Sequence, residues 1–558
     1  MCPSYMVTRE EEHSTRGRSR LLFEMLEGHA DSPVTAGWRS TEVRDALDLC
    51  LACKGCKKDC PVEVDMATMK AEFLAHHYAG RLRPRSHYSM GWLPAVAQAA
   101  SRAPRVVNAL TQAPVLRDAL TAAGGIDRRR RIPLFADQTF QAWAAGRDPG
   151  LSGREKTERG EVVLWPDTFT NHLTPSIGQA AVEVLEAAGW RVIVPQQPMC
   201  CGLTWISTGQ LVTARRVLRR TVHALAPYLQ RGALVVGLEP SCTAVFRSDA
   251  RELMPGDRDV QRLRQQTVTL AELLTDHTDG WQPPHLGGQA IAQTHCHQHA
   301  IMGYDPDQAL LRAAGVDLDV LDAGCCGLAG NFGFEAGHYD VSRACGERVL
   351  LPAVRDAAPA TLVLADGFSC RTQIEQAGTG RTPVHLAEVL AAGLRGQSVQ
   401  PSRPAAPRAS DYARLAAIAA AVAGLGTALG ALARRRRHRG LRPSVAEDFS
   451  ATYLTSASPR PSRPLLPAPG APLQLFDSLG RVSFCQRLGR LLTRLLRKGV
   501  QVGPLRSRLR FAAGLPVVGI LDHRIVVVHA FELPGFRPND IPGLGPARGI
   551  GRDCGLAG

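Results

Sequence analysis

Four cysteines in one short run constrain this chain more than any other feature of its 558 residues. Cys50, Cys53, Cys56 and Cys60 follow the spacing C-x2-C-x2-C-x3-C, and Pro61 comes directly after the last of them. Thiolates at this spacing ligate cubane iron–sulfur clusters, and in two-cluster proteins the fourth cysteine serves the other cluster. Zinc sites more often pair two CxxC units across a spacer, and disulfide frameworks suit small secreted domains. The run therefore predicts an iron–sulfur site.

A second Cys-Pro pair stands at the start of the sequence, where Cys2 precedes Pro3. We interpret Cys2 as the last ligand of an earlier run whose other cysteines are missing from the sequence. If the fourth cysteine of each run crosses to the other cluster, Cys2 completes a 4Fe-4S site with the first three cysteines of the later run. Cys60 is then left without a partner cluster. The alternative is that Cys2 is an incidental N-terminal cysteine.

The bulk composition describes a globular protein with several domains. The chain has 45% hydrophobic and 21% charged residues, and its 15 cysteines follow no secretory signal, which favours a cytoplasmic, thiol-reducing setting with cysteines as metal ligands. Nearly all of the net charge of +15 belongs to the tail, because residues 1–433 carry 45 basic against 44 acidic side chains. The balanced main body gives no basis for a nucleic-acid-binding core.

Helical patterns flank the cysteine run. An apolar face over residues 9–28 predicts one helix, with Arg16, Arg18 and Arg20 leading into it, and a second helix is expected from Glu63 to Tyr78. Arginines close to an anionic thiolate cluster would raise its reduction potential. The alternative is that these arginines form a solvated helix face.

From Glu161 onward, short apolar runs alternate with helical patterns, which is typical of βα units and a parallel sheet. The pattern occurs twice, so we predict an internal repeat of about 120 to 130 residues. Each copy carries a Cys-Cys-Gly triplet followed by a further cysteine after the next strand. The two sets are Cys200, Cys201 and Cys242 in the first copy and Cys325, Cys326 and Cys370 in the second.

The loops after parallel strands share one edge of a sheet, so Cys296, Cys325, Cys326 and Cys370 are expected to converge on one metal centre. The first copy lacks a counterpart of Cys296, which leaves Asp167 or His172 as substitutes and makes the second copy the stronger metal site. An iron–sulfur centre and a zinc site with cysteine and histidine ligands both remain open, because His295, His297 and His299 flank Cys296.

These segments resemble a known family. The stretches TREEEHSTRGRSRLLFEML, CLACKGCKKDCPVEVDMATMKAEFL, CCGLTWISTG, GLEPSC, THCHQHA and CCGLAGNFGFE are similar to the C-terminal half of large bacterial FAD-linked oxidases, up to about Gly393. The resemblance implies an iron–sulfur domain and a tandem cysteine-rich (CCG) domain that normally follow a flavin domain, as in D-lactate dehydrogenases, glycolate oxidase iron–sulfur subunits and D-2-hydroxyglutarate dehydrogenases. FAD is then expected only on a missing domain or a partner.

The expected fold is mixed: an α-helical ferredoxin-like domain, a tandem α/β cysteine-rich domain and a largely disordered C-terminal tail. The expected boundaries are 1–100 for the 4Fe-4S domain, 101–157 for a helical connector, 158–282 and 283–396 for the two cysteine-rich repeats, 397–440 for a linker with a marginal apolar helix, and 441–558 for the basic tail. The uncharged stretch Leu415–Ala433, followed by arginines, has the length of a membrane span but is rich in alanine, so a soluble helix is the alternative.

The resemblance implies electron transfer from flavin to a quinone or other acceptor, with an FAD-containing dehydrogenase as partner and a cytoplasmic location at the inner membrane face as one option. Cys2, Cys50, Cys53, Cys56 and Cys60 are the expected cluster residues, and the CCG cysteines hold a second iron–sulfur centre or zinc. Two alternatives are a thiol-disulfide enzyme similar to heterodisulfide reductase and a zinc-stabilised interaction module without a redox role.

Overall fold

The computed structural model describes residues 2–28, 31–32, 34–147, 159–399, 406–413 and the strands at 517–521 and 524–528. It divides into two units, residues 1–440 and 441–558. The predicted apolar helix at 415–433 and most of the predicted disordered tail lie outside the described residues. Within the second unit, β8 (Val517–Leu521) pairs with β9 (Arg524–Val528) in antiparallel register.

The N-terminal part of the first unit is built from short helices around the cysteine run. Asp65 caps α5 by accepting bonds from the backbone N–H groups of Ala67 and Thr68, so this helix begins three residues later than predicted. The expected helix over 9–28 starts only after Ser14, which accepts a bond from the Gly17 N–H. The helices are α1 (Pro3–Thr8), α2 (Thr15–Glu27), α3 (Thr41–Asp48), α4 (Gly55–Asp59) and α5 (Met66–His77).

Five further helices lead to the first sheet. Prolines stand at the first turns of several of them, where a missing N–H removes no intrahelical bond. The helices are α6 (Arg85–Ser89), α7 (Leu93–Ala100), α8 (Pro104–Gln112), α9 (Pro114–Gly124) and α10 (Phe140–Ala145).

The first sheet is parallel and has four strands in the order β2-β1-β3-β4. Its fourth strand was not predicted, because three residues of threonine and valine carry too short a period-2 signal. The elements are β1 (Glu161–Leu164), α11 (Thr168–His172), α12 (Pro175–Ala187), β2 (Arg191–Ile193), α13 (Leu203–Ser207), α14 (Leu211–Leu229), β3 (Leu234–Gly237), α15 (Pro240–Ala244), α16 (Ala250–Leu253), α17 (Arg258–Gln266), β4 (Thr267–Thr269) and α18 (Leu270–Asp276), with a π-helix at Val245–Asp249.

The second sheet is also parallel, with three strands in the order β6-β5-β7, so the strand that precedes Cys296 is central. The elements are β5 (Gln289–Ala292), α19 (Cys296–Ile301), α20 (Asp305–Ala313), β6 (Asp317–Val320), α21 (Tyr339–Glu347), α22 (Leu350–Asp356), β7 (Leu362–Leu364), α23 (Phe368–Gln376) and α24 (Leu386–Leu394). The predicted mixture of helices and parallel strands is thus confirmed.

Two long helices expected from the sequence are each divided. The helix predicted from Leu203 to Gln230 breaks at Gly209, whose positive φ of 66° brings its backbone against α5; a Cβ there would lie 2.4 Å from the Cβ of Leu74. The helix predicted from Gly337 to Val354 becomes α21 and α22. Pro352 lies in the first turn of α22, where its missing N–H costs no hydrogen bond.

One apolar core joins the two sheets. It contains Val162 and Val236 of the first sheet and Ala292 and Leu364 of the second, all 3% exposed or less. Helix α24, which ends the second sheet's segment, packs against α12 of the first. The cysteine-bearing strand ends of both sheets are therefore held in one rigid frame.

Candidate functional site

The cysteine run lies in a tightly wound loop before and within α4. Ala52 and Lys54 both have positive φ, at 52° and 59°, a backbone conformation that non-glycine residues adopt at a cost of about 1–2 kcal/mol. Cys50 is buried, and Cys53 and Cys56 are half-buried. The Cys56 Sγ also accepts a hydrogen bond of 3.4 Å from the Met66 N–H. Burial raises the pKa of the Cys56 thiol to about 11, and its charge interacts with both Cys53 and Cys50, so the three thiols are neighbours.

Cys2 lies close to this loop through a buried arginine. Arg18 is 1% exposed, and its guanidinium donates to the Cys2 Sγ at 3.0 Å, to the Ser4 Oγ at 2.9 Å and to the Ala46 carbonyl at 2.7 Å. By contrast, the flanking Arg16 and Arg20 are largely exposed and pair with glutamates. One of the three arginines thus reaches the thiols, and the other two form the solvated face.

Cys60 is placed differently from the other four cysteines of this group. It caps the end of α4, with its backbone N–H bonded to the Cys56 carbonyl at 3.0 Å, and its thiol is half-buried. Within the described ranges no contact joins its thiol to another cysteine. The arrangement is compatible with Cys2 as the fourth ligand, and the ligand assignment remains a prediction.

The cysteines after the second sheet converge. Cys296 begins α19 directly after β5, Cys325 and Cys326 follow β6, and Cys370 lies in α23 after β7. Cys296 packs in one side-chain cluster with Cys325, and Cys326 in another with Cys370, and the Cys325 thiol interacts electrostatically with those of Cys296 and Cys326. Parallel strands bring these ends to one edge of the sheet.

A fifth thiol joins this cluster from the N-terminal run. The Cys53 side chain packs in the same side-chain cluster as Cys325, and its interaction with Cys325 lowers the pKa of the Cys53 thiol to about 7. Hydrogen bonds from Cys325 and Cys370 hold the pKa of Cys326 well below its usual value. The 13 described cysteines are all free thiols. Neighbouring thiols and burial instead raise the pKa values of Cys325 and Cys370, and burial raises that of Cys296. Closely spaced cysteine thiols are the donor set that iron–sulfur clusters and zinc bind.

Buried polar contacts fix the cysteine loop against both sheets. The Lys54 ammonium is 2% exposed and lies 2.7 Å from Asp65 and 3.0 Å from Asp249, which belongs to the π-helix of the first sheet's segment. Burial opposes the charge of Lys54, but the two carboxylates outweigh this and raise its pKa. From the second sheet's segment, the His297 Nε2 donates to the Ala52 carbonyl at 3.0 Å.

The first sheet carries a smaller group of cysteines. The Sγ atoms of Cys201 and Cys242 lie 3.1 Å apart, and the Thr168 hydroxyl donates to the Cys200 Sγ at 3.9 Å. Of the two candidate substitutes for the missing cysteine, Asp167 is fully buried, and its charge acts on Cys242. His172 instead bonds to the Ser101 hydroxyl through Nδ1 at 2.7 Å, and burial lowers its pKa to about 4.

Glu239 was missed by sequence reasoning. It follows β3, is 3% exposed, and accepts hydrogen bonds from the Ser241 hydroxyl at 2.7 Å and from the Phe368 N–H at 2.8 Å. Burial raises its pKa to about 7, and its charge acts on both Cys242 and Cys370. Sequence spacing could not predict that Glu239 lies between these two groups of thiols, because Cys370 belongs to a distant segment of the chain.

A cavity of about 330 Å³ opens beside the thiol cluster and is lined mainly by apolar side chains. Its wall includes Cys296, His297, Lys54 and Asp249. Two buried polar atoms on these residues have no hydrogen-bond partner among the described residues, namely the His297 Nδ1 and the Asp249 Oδ2. An apolar pocket with a few unsatisfied polar groups is typical of a small-molecule site. No local motif predicts it, because its wall combines the cysteine loop, α7 to α9 and both sheet segments.

Two family models match the chain. The model described as a 4Fe-4S dicluster domain covers residues 1–65, and the model described as a cysteine-rich domain covers residues 168–247. None of the helices in the described residues is long and apolar enough to cross a membrane.

Curated relatives agree with these matches. The chain is 27% identical to D-2-hydroxyglutarate dehydrogenase of Pseudomonas putida over 70% of its own length and 41% of the relative. It is 27% identical to one subunit of the anaerobic glycerol-3-phosphate dehydrogenase of Escherichia coli, over 49% of this chain and 68% of that relative. It is 24% identical to the E. coli glycolate oxidase iron–sulfur subunit, over 70% of this chain and 91% of that relative.

The resemblance to the iron–sulfur and cysteine-rich portion of FAD-linked oxidases is therefore confirmed. The chain spans about two fifths of the length of the D-2-hydroxyglutarate dehydrogenases that it matches. Its domains are those of iron–sulfur electron transfer, and its relatives are oxidoreductases of FAD-linked systems.

Proposed function

We propose that this chain is an iron–sulfur electron-transfer protein, acting as a subunit or portion of an FAD-dependent 2-hydroxy-acid dehydrogenase or oxidase of the D-lactate, glycolate or D-2-hydroxyglutarate type. Electrons pass from the flavin to a quinone or another acceptor. The observation that carries the proposal is the packing of Cys53 in one side-chain cluster with Cys325 and Cys296. It joins the N-terminal cysteine run to the thiols after the second sheet, as a relay between two redox centres requires.

The residues fit the groups that this function needs. Cys50, Cys53 and Cys56, with Cys2 as the fourth residue, would hold a 4Fe-4S cluster, and this donor set consists of free thiols close to a buried guanidinium. Cys296, Cys325, Cys326 and Cys370 would hold a second iron–sulfur centre or zinc. When bound, a cluster supplies one-electron transfer. Burial of Cys325, Cys326 and Cys370 keeps these thiols from water, and Lys54 and His297 hold the loop in place.

The first experiment measures iron, acid-labile sulfide and zinc on anaerobically purified full-length chain, with an EPR spectrum after chemical reduction. We expect at least four iron and four sulfide per chain and a reduced-cluster signal. Zinc without iron would overturn the electron-transfer proposal and support the zinc-stabilised module. A flavoprotein partner is then sought by its ability to reduce the clusters when its hydroxy acid is supplied.

Two matched substitutions test which cysteine completes the N-terminal cluster. Cys2→Ala removes the thiol bonded to Arg18, whereas Cys60→Ala removes the isolated thiol at the end of α4. We expect Cys2→Ala to lower the iron and sulfide content by about one cluster and Cys60→Ala to leave it unchanged. The reverse result would show that the crossover assignment is wrong.

A thiol-disulfide enzyme is the second candidate, favoured by the geometry of the first sheet's cysteines. Cys201 and Cys242 have Sγ atoms 3.1 Å apart and form a buried dithiol, which could be oxidised to a disulfide with release of two electrons and two protons. Reduction of a small disulfide by the purified chain with a chemical electron donor, lost in Cys242→Ser, would favour this function over the first. No turnover would eliminate it.

A further inference from the structure

One region of the surface is unusually apolar. Of the 14 large hydrophobic side chains that are exposed within the described residues, six lie between positions 82 and 120. Val115 is 83% exposed, Val96 48%, Leu120 44% and Leu116 40%. Leu116 and Leu120 are four residues apart and share one exposed face of α9. Helices α6 and α8 both pack against α9. The exposed residues therefore belong to one group of packed helices.

The same segment is strongly basic. Residues 79–131 contain ten arginines and two aspartates, with no lysine or glutamate, although residues 1–433 as a whole are nearly neutral. Arg81, Arg102 and Arg128 are exposed and have no carboxylate partner among the described residues. Apolar side chains combined with unpaired arginines are the composition of helices that lie in a membrane interface and attract anionic lipid.

The cavity beside the thiol cluster opens on this surface. Val96 and Leu120 line the cavity and are also exposed to solvent, so the mouth lies between α7 and α9. Leu93, Val107 and Thr111 line the same cavity, and so do Cys296 and His297. A mouth framed by exposed apolar helices gives a molecule dissolved in a bilayer a route to the thiols without crossing water.

We propose that helices α6 to α9 dock on an anionic membrane surface, with the exposed apolar residues of α9 in the lipid and the exposed, unpaired Arg81, Arg102 and Arg128 at the headgroups. The opposite charge of the headgroups identifies the occupant as a bilayer and disfavours an arginine-rich second copy of this surface. Docking involves the helical segment alone and does not depend on which metal the cysteines bind.

The test is co-sedimentation of the full-length chain with vesicles of phosphatidylcholine alone or with a phosphatidylglycerol admixture. We expect binding to the anionic vesicles that weakens as salt is raised. Val115→Glu should weaken it about tenfold or more, because a carboxylate replaces an apolar side chain in the lipid. Leu26→Glu is the matched control: Leu26 is 65% exposed on α2, which packs against α3 and the neighbouring 3-10 turns, and this variant should bind within about twofold of the native chain.

Both positions are exposed, so neither substitution removes a core contact, and iron content checks that the fold is kept. If Val115→Glu binds the vesicles as well as the native chain does, the proposal is wrong. Any vesicle binding would then come from the basic residues 441–558. Failure of the native chain to bind anionic vesicles would also overturn the proposal. A change in sedimentation coefficient in Val115→Glu alone would then indicate that the face is an interface between copies of the chain.

Discussion

Removal of the Lys54 ammonium tests whether charge holds the cysteine loop against the first sheet's segment. Its Nζ lies 2.7 Å from Asp65 Oδ2 and 3.0 Å from Asp249 Oδ1, and the side chain is 2% exposed. At an effective dielectric constant near 20, each attraction is roughly 5–6 kcal/mol, against a desolvation cost of several kcal/mol for each ion. Lys54→Met leaves both carboxylates buried, and a broken buried pair costs about 3–5 kcal/mol.

The free energy of unfolding is measured by pulse proteolysis in urea under anaerobic conditions, with iron content followed in parallel. We expect Lys54→Met to lower it by about 3–5 kcal/mol. Lys58→Met is the matched control, because Lys58 is exposed in α4, the helix that Lys54 precedes, and such surface changes stay within about 0.5 kcal/mol. Unfolding of Lys54→Met within about 0.5 kcal/mol of the native chain would refute the reasoning.

A double substitution separates lost attraction from a carboxylate left unpaired. Asp65 keeps Lys57 at 3.4 Å and its bonds to the first turn of α5, whereas the Oδ2 of Asp249 has no partner among the described residues. Most of the cost of Lys54→Met should therefore come from Asp249. We expect Lys54→Met with Asp249→Met to recover about half of the lost stability, since apolar replacement of a buried pair is often neutral. No recovery would mean that Lys54 acts mainly by packing.

Three further predictions concern single sites. Arg18→Met removes the positive charge next to Cys2. The midpoint potential of the N-terminal cluster, measured by EPR redox titration, should therefore fall by some tens of millivolts. For one electron, about 59 mV corresponds to about 1.4 kcal/mol. Gly209→Ala should destabilise the chain more than Gly232→Ala, because both glycines have positive φ but only Gly209 meets α5. Burial raises the pKa of Glu239 from 4.5 to about 7. The protonated side chain therefore stabilises the fold fully below pH 4.5, and this stability, about 3 kcal/mol, is lost as pH rises through 7. Glu239→Gln should make the urea midpoint of unfolding less dependent on pH.

The sequence predicted the parts of the fold that depend on local period and on cysteine spacing. The strands at β1, β3 and β5 lie where their apolar runs indicated, because buried parallel strands read as continuous hydrophobic stretches. The break at Gly209 was missed, since the cause is the approach of α5 from another segment. The strand β4 was missed because three residues give too little pattern.

Convergence of the thiols after the second sheet could be predicted from topology, because parallel strands bring their carboxyl ends to one edge. The contact of Cys53 with Cys325 could not, since it depends on how the helical domain packs on the sheet. The same limit applies to Glu239 and to the cavity, whose walls come from segments far apart in the chain. Spacing therefore predicts candidate metal ligands more readily than it predicts which sites lie next to one another.

The two cysteine-rich copies look alike in sequence but differ in their surroundings, and this difference bears on function. Among the described residues, a thiol of the N-terminal run contacts the second copy through Cys325, whereas Cys201 pairs with Cys242 inside the first. Glu239 lies between the two groups and interacts electrostatically with Cys242 and Cys370. A protonated Glu239 adds no charge next to these thiols, but an ionised one opposes negative charge on both. If the chain transfers electrons as proposed, we expect the second copy to exchange electrons with the N-terminal run, and the first copy to influence that exchange through the protonation of Glu239.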